Sequence, residues 1–176
     1  MTVYRDVGHV IARVMSIETI DGTKKAGWQK RYQAGYPDSV GGAGGGLSEE
    51  ERLTQDSMTR AALHRELPEM AWNVLVAKYS INAREVMAAI QWLIPRVVCP
   101  AHHLFKMKCV TAWAVPKRMP VAFYLIHTWD NDGTPEGTLR RWRSVLKRWL
   151  DDRVDEAFQR ATPILECSGL IERDAA

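Results

Sequence analysis

Residues 134–150 read TPEGTLRRWRSVLKRWL, and the periodicity of this stretch sets the reading of the whole chain. At roughly 100° per residue, Leu139, Trp142, Val145, Leu146, Trp149 and Leu150 fall on one arc, the signature of an amphipathic helix. Arg140, Arg141, Arg143, Ser144, Lys147 and Arg148 fall on the opposite arc. The solvated face of such a helix normally alternates charge signs, whereas this one carries only positive charge over three turns. Five like charges on one face repel, so the pattern is costly unless a polyanion meets it. Nucleic acid is the expected partner; the plainer reading is a core helix with a solvated basic face.

Upstream, Asp130-Asn-Asp-Gly133 is a strong turn signal, Thr134 is suited to cap the helix, and Pro135 is suited to its first turn. Pro120 can start a helix over Val121–Trp129. A short apolar helix, a polar turn and a basic helix make a helix-turn-helix at 120–150. Its turn is a residue or two longer than in the tightest such motifs, and no glycine sits at the usual crowded helix contact. Gly137 and Thr138 permit close approach of a phosphate to the helix N-terminus. Arg140, Arg141 and Ser144 then reach guanine or phosphate oxygens, and Lys147 and Arg148 reach backbone phosphates. The expected DNA contacts are Thr134, Gly137, Thr138, Arg140, Arg141, Arg143, Ser144, Lys147 and Arg148. Beyond Leu150 the charge reverses, with Asp151, Asp152, Asp155 and Glu156 against Arg153, which confines the contact to the first half of the helix. The apolar face continues through Val154, Ala157 and Phe158 to Ala161, and Pro163 and Gly169 punctuate the end.

The remainder of the chain reads as helical. Residues 3–16 carry Val3, Val7, Val10, Ile11 and Val14 near helical spacing. Ser48-Glu-Glu-Glu51 is a capping box for a helix from Glu49 to about Leu63. Pro68 opens another through Tyr79, and Asn82 caps a third over Ala83–Ile94, which Pro95 perturbs. The Met, Trp and Leu stripes of these helices read as core. Between Arg96 and Pro120, bracketing prolines leave HHLFKMKCVTAWAV open as a short helix or a strand. Residues 19–48 have no period, and GGAGGG at 41–46 lacks the Gly-Lys-Ser/Thr and the preceding strand of a phosphate loop. They read as a flexible linker or arm, whose Lys24, Lys25, Trp28, Lys30 and Arg31 mix basic and aromatic character.

Composition agrees with a folded chain. It has 176 residues, 46% of them hydrophobic, and seven tryptophans. A net charge of only +3 places the case for a polyanion on clustering, not on the total. The N-terminus carries Asp6 and Arg13 within its apolar pattern, unlike a signal peptide, and no apolar run is long enough to span a membrane. Three cysteines make too sparse a set for a secreted disulfide scaffold. A cytoplasmic protein with no membrane partner is expected. Cys99, His102, His103 and Cys109 are possible zinc ligands, but they lack a Cys-x-x-Cys knuckle, and neighbouring histidines rarely share one ion. Free cysteines and surface histidines are the plainer reading, and no cofactor is expected. His127 reads as a core or helix-end histidine. Nothing in the sequence requires catalysis, and an enzyme is not expected.

The expected fold is all-α: a helical bundle with a C-terminal helix-turn-helix and a flexible glycine-rich N-terminal segment. Its parts are an N-terminal helix (1–18), the basic, glycine-rich linker or arm (19–48), a helical domain (49–165) and a tail (166–176). In order and pattern, YRDVGHVIARV, LHRELPEMAWNVLVAKY, FYLIHTW and TPEGTLRRWRSVLKRWLDDRV resemble the phage late-gene transcription antiterminators of the Q type. The similarity is to the branch without a zinc-ribbon insertion, which includes the Pseudomonas antiterminator AlpA. The resembling pieces span roughly half the chain. The resemblance implies a protein that binds double-stranded DNA near a promoter, engages bacterial RNA polymerase with its sigma factor, and loads onto it. There it narrows the RNA exit channel and hinders terminator hairpins. The resemblance carries Arg140, Arg141, Ser144, Lys147 and Arg148 over as DNA contacts. Segments 20–48 and 95–120 depart from the family pattern, and the arm is a candidate contact for nascent RNA or polymerase. The rivals are a conventional repressor or activator, dimerising through helix 151–161, and an inhibitor or adaptor that binds an acidic protein surface.

Overall fold

Asp6 starts the first helix by accepting a hydrogen bond from the His9 amide (2.8 Å), so α1 spans Val7–Met15 and begins later than the hydrophobic pattern alone suggests. A computed structural model describes residues 4–17, 49–116 and 118–172. The arm 19–48, with Lys24, Lys25, Trp28, Lys30 and Arg31, and the Ser48 cap lie outside these residues. The described chain is all-helical. After α1 come α2 (Glu49–Glu66), α3 (Glu69–Tyr79), α4 (Ala83–Leu93), α5 (His103–Ala114) and α6 (Glu136–Cys167). No described helix is long and apolar enough to cross a membrane.

Local chemistry accounts for the boundaries. Pro68 disfavours helical geometry at the preceding residue and sits at the N-cap of α3, separating it from α2. Asn82 caps α4 as expected, accepting from the Arg84 and Glu85 amides. Pro95 turns the chain out of α4 through a 3-10 turn, Ile94–Arg96. The proline-bracketed stretch resolves into a helix, α5, whose N-cap His102 accepts from the Leu104 amide at 3.1 Å. Helix α6 runs past Pro163, which faces solvent, and ends at Gly169 with φ +66. There Leu170 N–H reaches Leu165 C=O and Gly169 N–H reaches Glu166 C=O, the pair of bonds that closes a helix on a left-handed residue.

Two expectations need correction just before α6. Residues 121–129 form two 3-10 turns, Val121–Tyr124 and Ile126–Trp129, broken at the extended Leu125, and not one α-helix. The corner is pinned from three sides. Trp129 Nε1–H donates to Phe123 C=O (2.6 Å), Lys108 Nζ to Thr128 C=O (2.5 Å), and Tyr124 OH to Val115 C=O (3.0 Å). These bonds compete with the i→i−4 ladder of an α-helix. Thr134 does not cap α6 either: Pro135 holds the N-cap position, and no side chain caps the end. Asp130 folds the turn instead, its Oδ2 accepting the Asp132 and Thr134 amides (3.1 and 2.8 Å), while Gly133 takes φ +71.

One core joins the described helices. From α6, Leu139, Leu146, Leu150, Val154, Ala157, Ala161 and Leu165 are buried in it. Ala157 and Ala161 are fully buried, and α1, α2 and α3 all pack on α6. The apolar residues Val154, Ala157 and Ala161 are therefore packed inside the protein, while Asp152, Asp155, Gln159 and Arg160 stay exposed on the other side of 151–161. The Tyr4 amide donates to Leu170 C=O (3.1 Å), which ties the N-terminal segment to the end of α6.

Helix α2 is held by a polar anchor. Its buried residues include Asp56, Thr59 and Leu63. Asp56 accepts from Tyr4 OH at 2.5 Å and from Arg13 at 2.8 and 3.2 Å. Asp56→Ala strands the phenol and is expected to cost about 2–3 kcal/mol, below the cost of breaking a fully buried pair because Arg13 can rehydrate. Urea unfolding reads this; an unmoved midpoint contradicts the anchor. Burial, reinforced by the hydrogen bond to Asp56, pushes the Tyr4 phenol up to about 12, above its ordinary 10.0. The folded state thus favours the neutral phenol. Its contribution is complete below pH ~10 and lost as pH rises towards ~12, so stability measured across that window should fall.

Candidate nucleic-acid interface

The N-terminal half of α6 projects its basic side chains into solvent while Leu139, Leu146 and Leu150 anchor it inward. Trp142 braces it edge-on against Phe105 (5.7 Å), which Trp129 also meets edge-on (5.5 Å). Arg140, Arg141, Arg143, Ser144, Lys147 and Arg148 are all exposed, as the two-face pattern requires. Among the described residues Arg141, Arg143, Lys147 and Arg148 make no ion pair. Arg140 differs, because both its Nε (3.0 Å) and its Nη2 (2.6 Å) donate to Glu136 Oε1. It can reach an anion only by leaving that i,i+4 pair, which is weak at such exposure. Thr134 and Thr138 are partly buried and take part in the turn, with Thr138 N–H bound to Pro135 C=O (2.9 Å). Val145, placed by the pattern on the apolar arc, is 54% exposed and stands between the cations.

Gly137 faces open space: a Cβ there would meet nothing within 4 Å. Packing gives no reason for glycine in this first turn. Gly137→Ala is expected to stabilise the helix by about 0.5–1 kcal/mol and to weaken nucleic-acid binding if the backbone is approached closely. Thermal unfolding and a binding titration read the two effects; destabilisation contradicts the open first turn.

A cleft of about 410 Å³ lies beside the basic face, between Tyr124, Leu125, Ile126 and His127 on one wall and Glu136, Arg140, Arg143 and Ser144 on the other. Sequence reading missed it, because its first wall exists only once 121–129 folds as a 3-10 corner. Val121 (82%) and Leu125 (43%) of that corner, and Met119 (38%) just before it, are exposed. His127 is exposed at the lip and not in the core.

The acidic zone beyond Leu150 is partly structural. Asp151 accepts from Trp113 Nε1–H (2.8 Å), and Arg153 pairs with Glu156 (2.8 Å), leaving Asp152 and Asp155 to face solvent. The zinc set does not assemble. Cys109 is buried, and burial pushes its thiol up to about 12, while His103 points to solvent. Among the described residues, His102 instead meets Asp130 and Asp132. Both imidazole nitrogens are already engaged: Nδ1 accepts from Leu104 N–H, so Nε2 carries the proton toward Asp130 Oδ1 (3.1 Å). The Thr134 amide, with help from His102 and Asp132, holds the Asp130 carboxyl below its usual range. The cluster ties the start of α5 to the turn that launches α6.

No family model matches this chain, and no curated protein sequence or solved structure matches it.

Proposed function

We propose that this protein binds double-stranded DNA through the exposed basic half of α6 and acts as a transcription antiterminator on bacterial RNA polymerase. The observation that carries the DNA step is the row Arg141, Arg143, Lys147 and Arg148, exposed without ion-pair partners among the described residues on a helix anchored by its opposite face. Like charges held in one fixed array gain most from a polyphosphate. In this reading 120–150 works as a helix-turn-helix whose first element is the pinned 3-10 corner, and the N–H groups at the start of α6 add to the pull on a phosphate.

The antiterminator step rests on the sequence resemblance to the Q-type proteins, with polymerase and its sigma factor, and nascent RNA through residues 19–48, as further partners. A conventional repressor or activator would use the same helix, and its dimerisation through 151–161 would have to use the exposed polar side of that stretch. An adaptor for an acidic protein surface is favoured by one observation, the exposed Val121 and Leu125 beside the basic cleft.

Transcription past an intrinsic terminator separates these readings. With purified polymerase and sigma factor, on a template carrying the protein's own site, readthrough should rise above the protein-free level. DNA binding without increased readthrough removes the antiterminator step and leaves a regulator.

A further inference from the structure

Gly137, Arg141, Ser144 and Arg148 run along the outer side of α6, with half-exposed Val145 at its edge next to the apolar face. Three of these five are poor helix formers for an exposed position. Packing does not account for them: Gly137 faces open space, Val145 is half-exposed, and Ser144, at the rim of the cleft, turns its hydroxyl back onto Arg140 C=O at 3.0 Å. Further along, the same side of the helix returns to ordinary solvated residues, Asp152 and Asp155. Locally unfavourable residues gathered on one exposed strip mark a surface selected for contact and not for folding. Along the axis, Val145 lies between Arg141 and Arg148 and presents two methyl groups at the edge of this side.

Resting on the DNA-binding reading above, we infer that this strip reads the major groove at a site where two guanines about three base pairs apart flank a thymine. Arg141 and Arg148 lie about 10 Å apart along the axis at ~1.5 Å per residue, which spans roughly three base pairs at ~3.4 Å each. Val145 sits between them. Arginine forks onto guanine O6 and N7, and the thymine C5 methyl is the apolar group the major groove offers to a valine. Adenine and cytosine are matched by Asn, Gln, Asp or Glu, which the strip lacks. Single strands are held by aromatic stacking, and Trp142 and Trp149 face the core side of the helix. Arg143 and Lys147, on the flank, are left for backbone phosphates.

The test is selection of the full chain against a randomised duplex library, followed by anisotropy titrations on the enriched site. The expected site has two guanines about three base pairs apart with a thymine between them. Replacing that thymine by uracil removes only the methyl and should weaken wild-type binding about three- to four-fold. Val145→Ala, which keeps only its Cβ methyl, should show a smaller difference between the two versions. Arg141→Gln and Arg148→Gln should each lose about ten-fold of the preference at one guanine. All three positions are exposed, and circular dichroism confirms that the variants fold. Salt-dependent duplex binding with no enriched site, or a site whose uracil form binds wild type equally well, overturns this inference and leaves the DNA reading standing. Absence of duplex binding at low salt overturns both.

Discussion

Arg141→Glu combined with Arg148→Glu is expected to weaken duplex binding by about a hundred-fold or more at ~0.1 M salt, with unfolding shifted by no more than ~0.5 kcal/mol. Both side chains lie on the exposed face of α6, and neither is paired among the described residues, so the fold loses nothing it uses. Each reversal removes an attraction to phosphate or guanine and adds a repulsion. Reversing Arg140 should matter less, because Glu136 already neutralises it at 2.6 Å. Equal losses at all three positions would mean that net charge alone, and not the outward strip, carries the binding.

The second large effect is on stability. Trp129→Ala should cost about 4 kcal/mol, a fall in melting temperature on the order of 10 °C. Trp129 is 1% exposed, packs edge-on against Phe105, and donates its indole N–H to Phe123 C=O at 2.6 Å. Its loss empties part of the core between α5 and α6 and also releases the 3-10 corner that walls the cleft. Val121→Ala is the control: that side chain is 82% exposed, and its removal should change stability by less than ~0.5 kcal/mol. Similar melting temperatures for the two variants would show that the corner is not anchored through Trp129.

The helices that announced themselves in the sequence did so through termini. Asn82 before α4 and Gly169 after α6 are local signals, readable because a cap acts on amides or carbonyls within a few residues. The two faces of α6 were equally legible, because seventeen residues (134–150) give the period several turns in which to repeat. Residues 121–129 were not. Nine residues with apolar side chains on several sides fit an α-helix or a pair of 3-10 turns equally well, and Lys108, Tyr124 and Trp129 decide between them through tertiary bonds. The Tyr4–Asp56–Arg13 anchor was invisible for the same reason, its partners lying 52 and 43 residues apart. Within the candidate site, the Glu136–Arg140 pair stood in the sequence at i,i+4 spacing and should have set Arg140 apart from Arg141. Thr134 is not the cap, because Asp130, four residues earlier, ties its amide into the turn and Pro135 takes the N-cap position.

The central claim is that the basic face of α6 meets the phosphates of a duplex, and counterion release tests it most directly. With the wild-type chain and one duplex, binding is titrated across a range of salt concentrations. Phosphate contacts by Arg143 and Lys147 predict a slope of about −2 in log K against log salt, from ~0.9 ion released per phosphate neutralised, steepening towards about −4 where Arg141 and Arg148 sit on phosphates and not on guanines. A slope near zero, or no binding even at low salt, would contradict it.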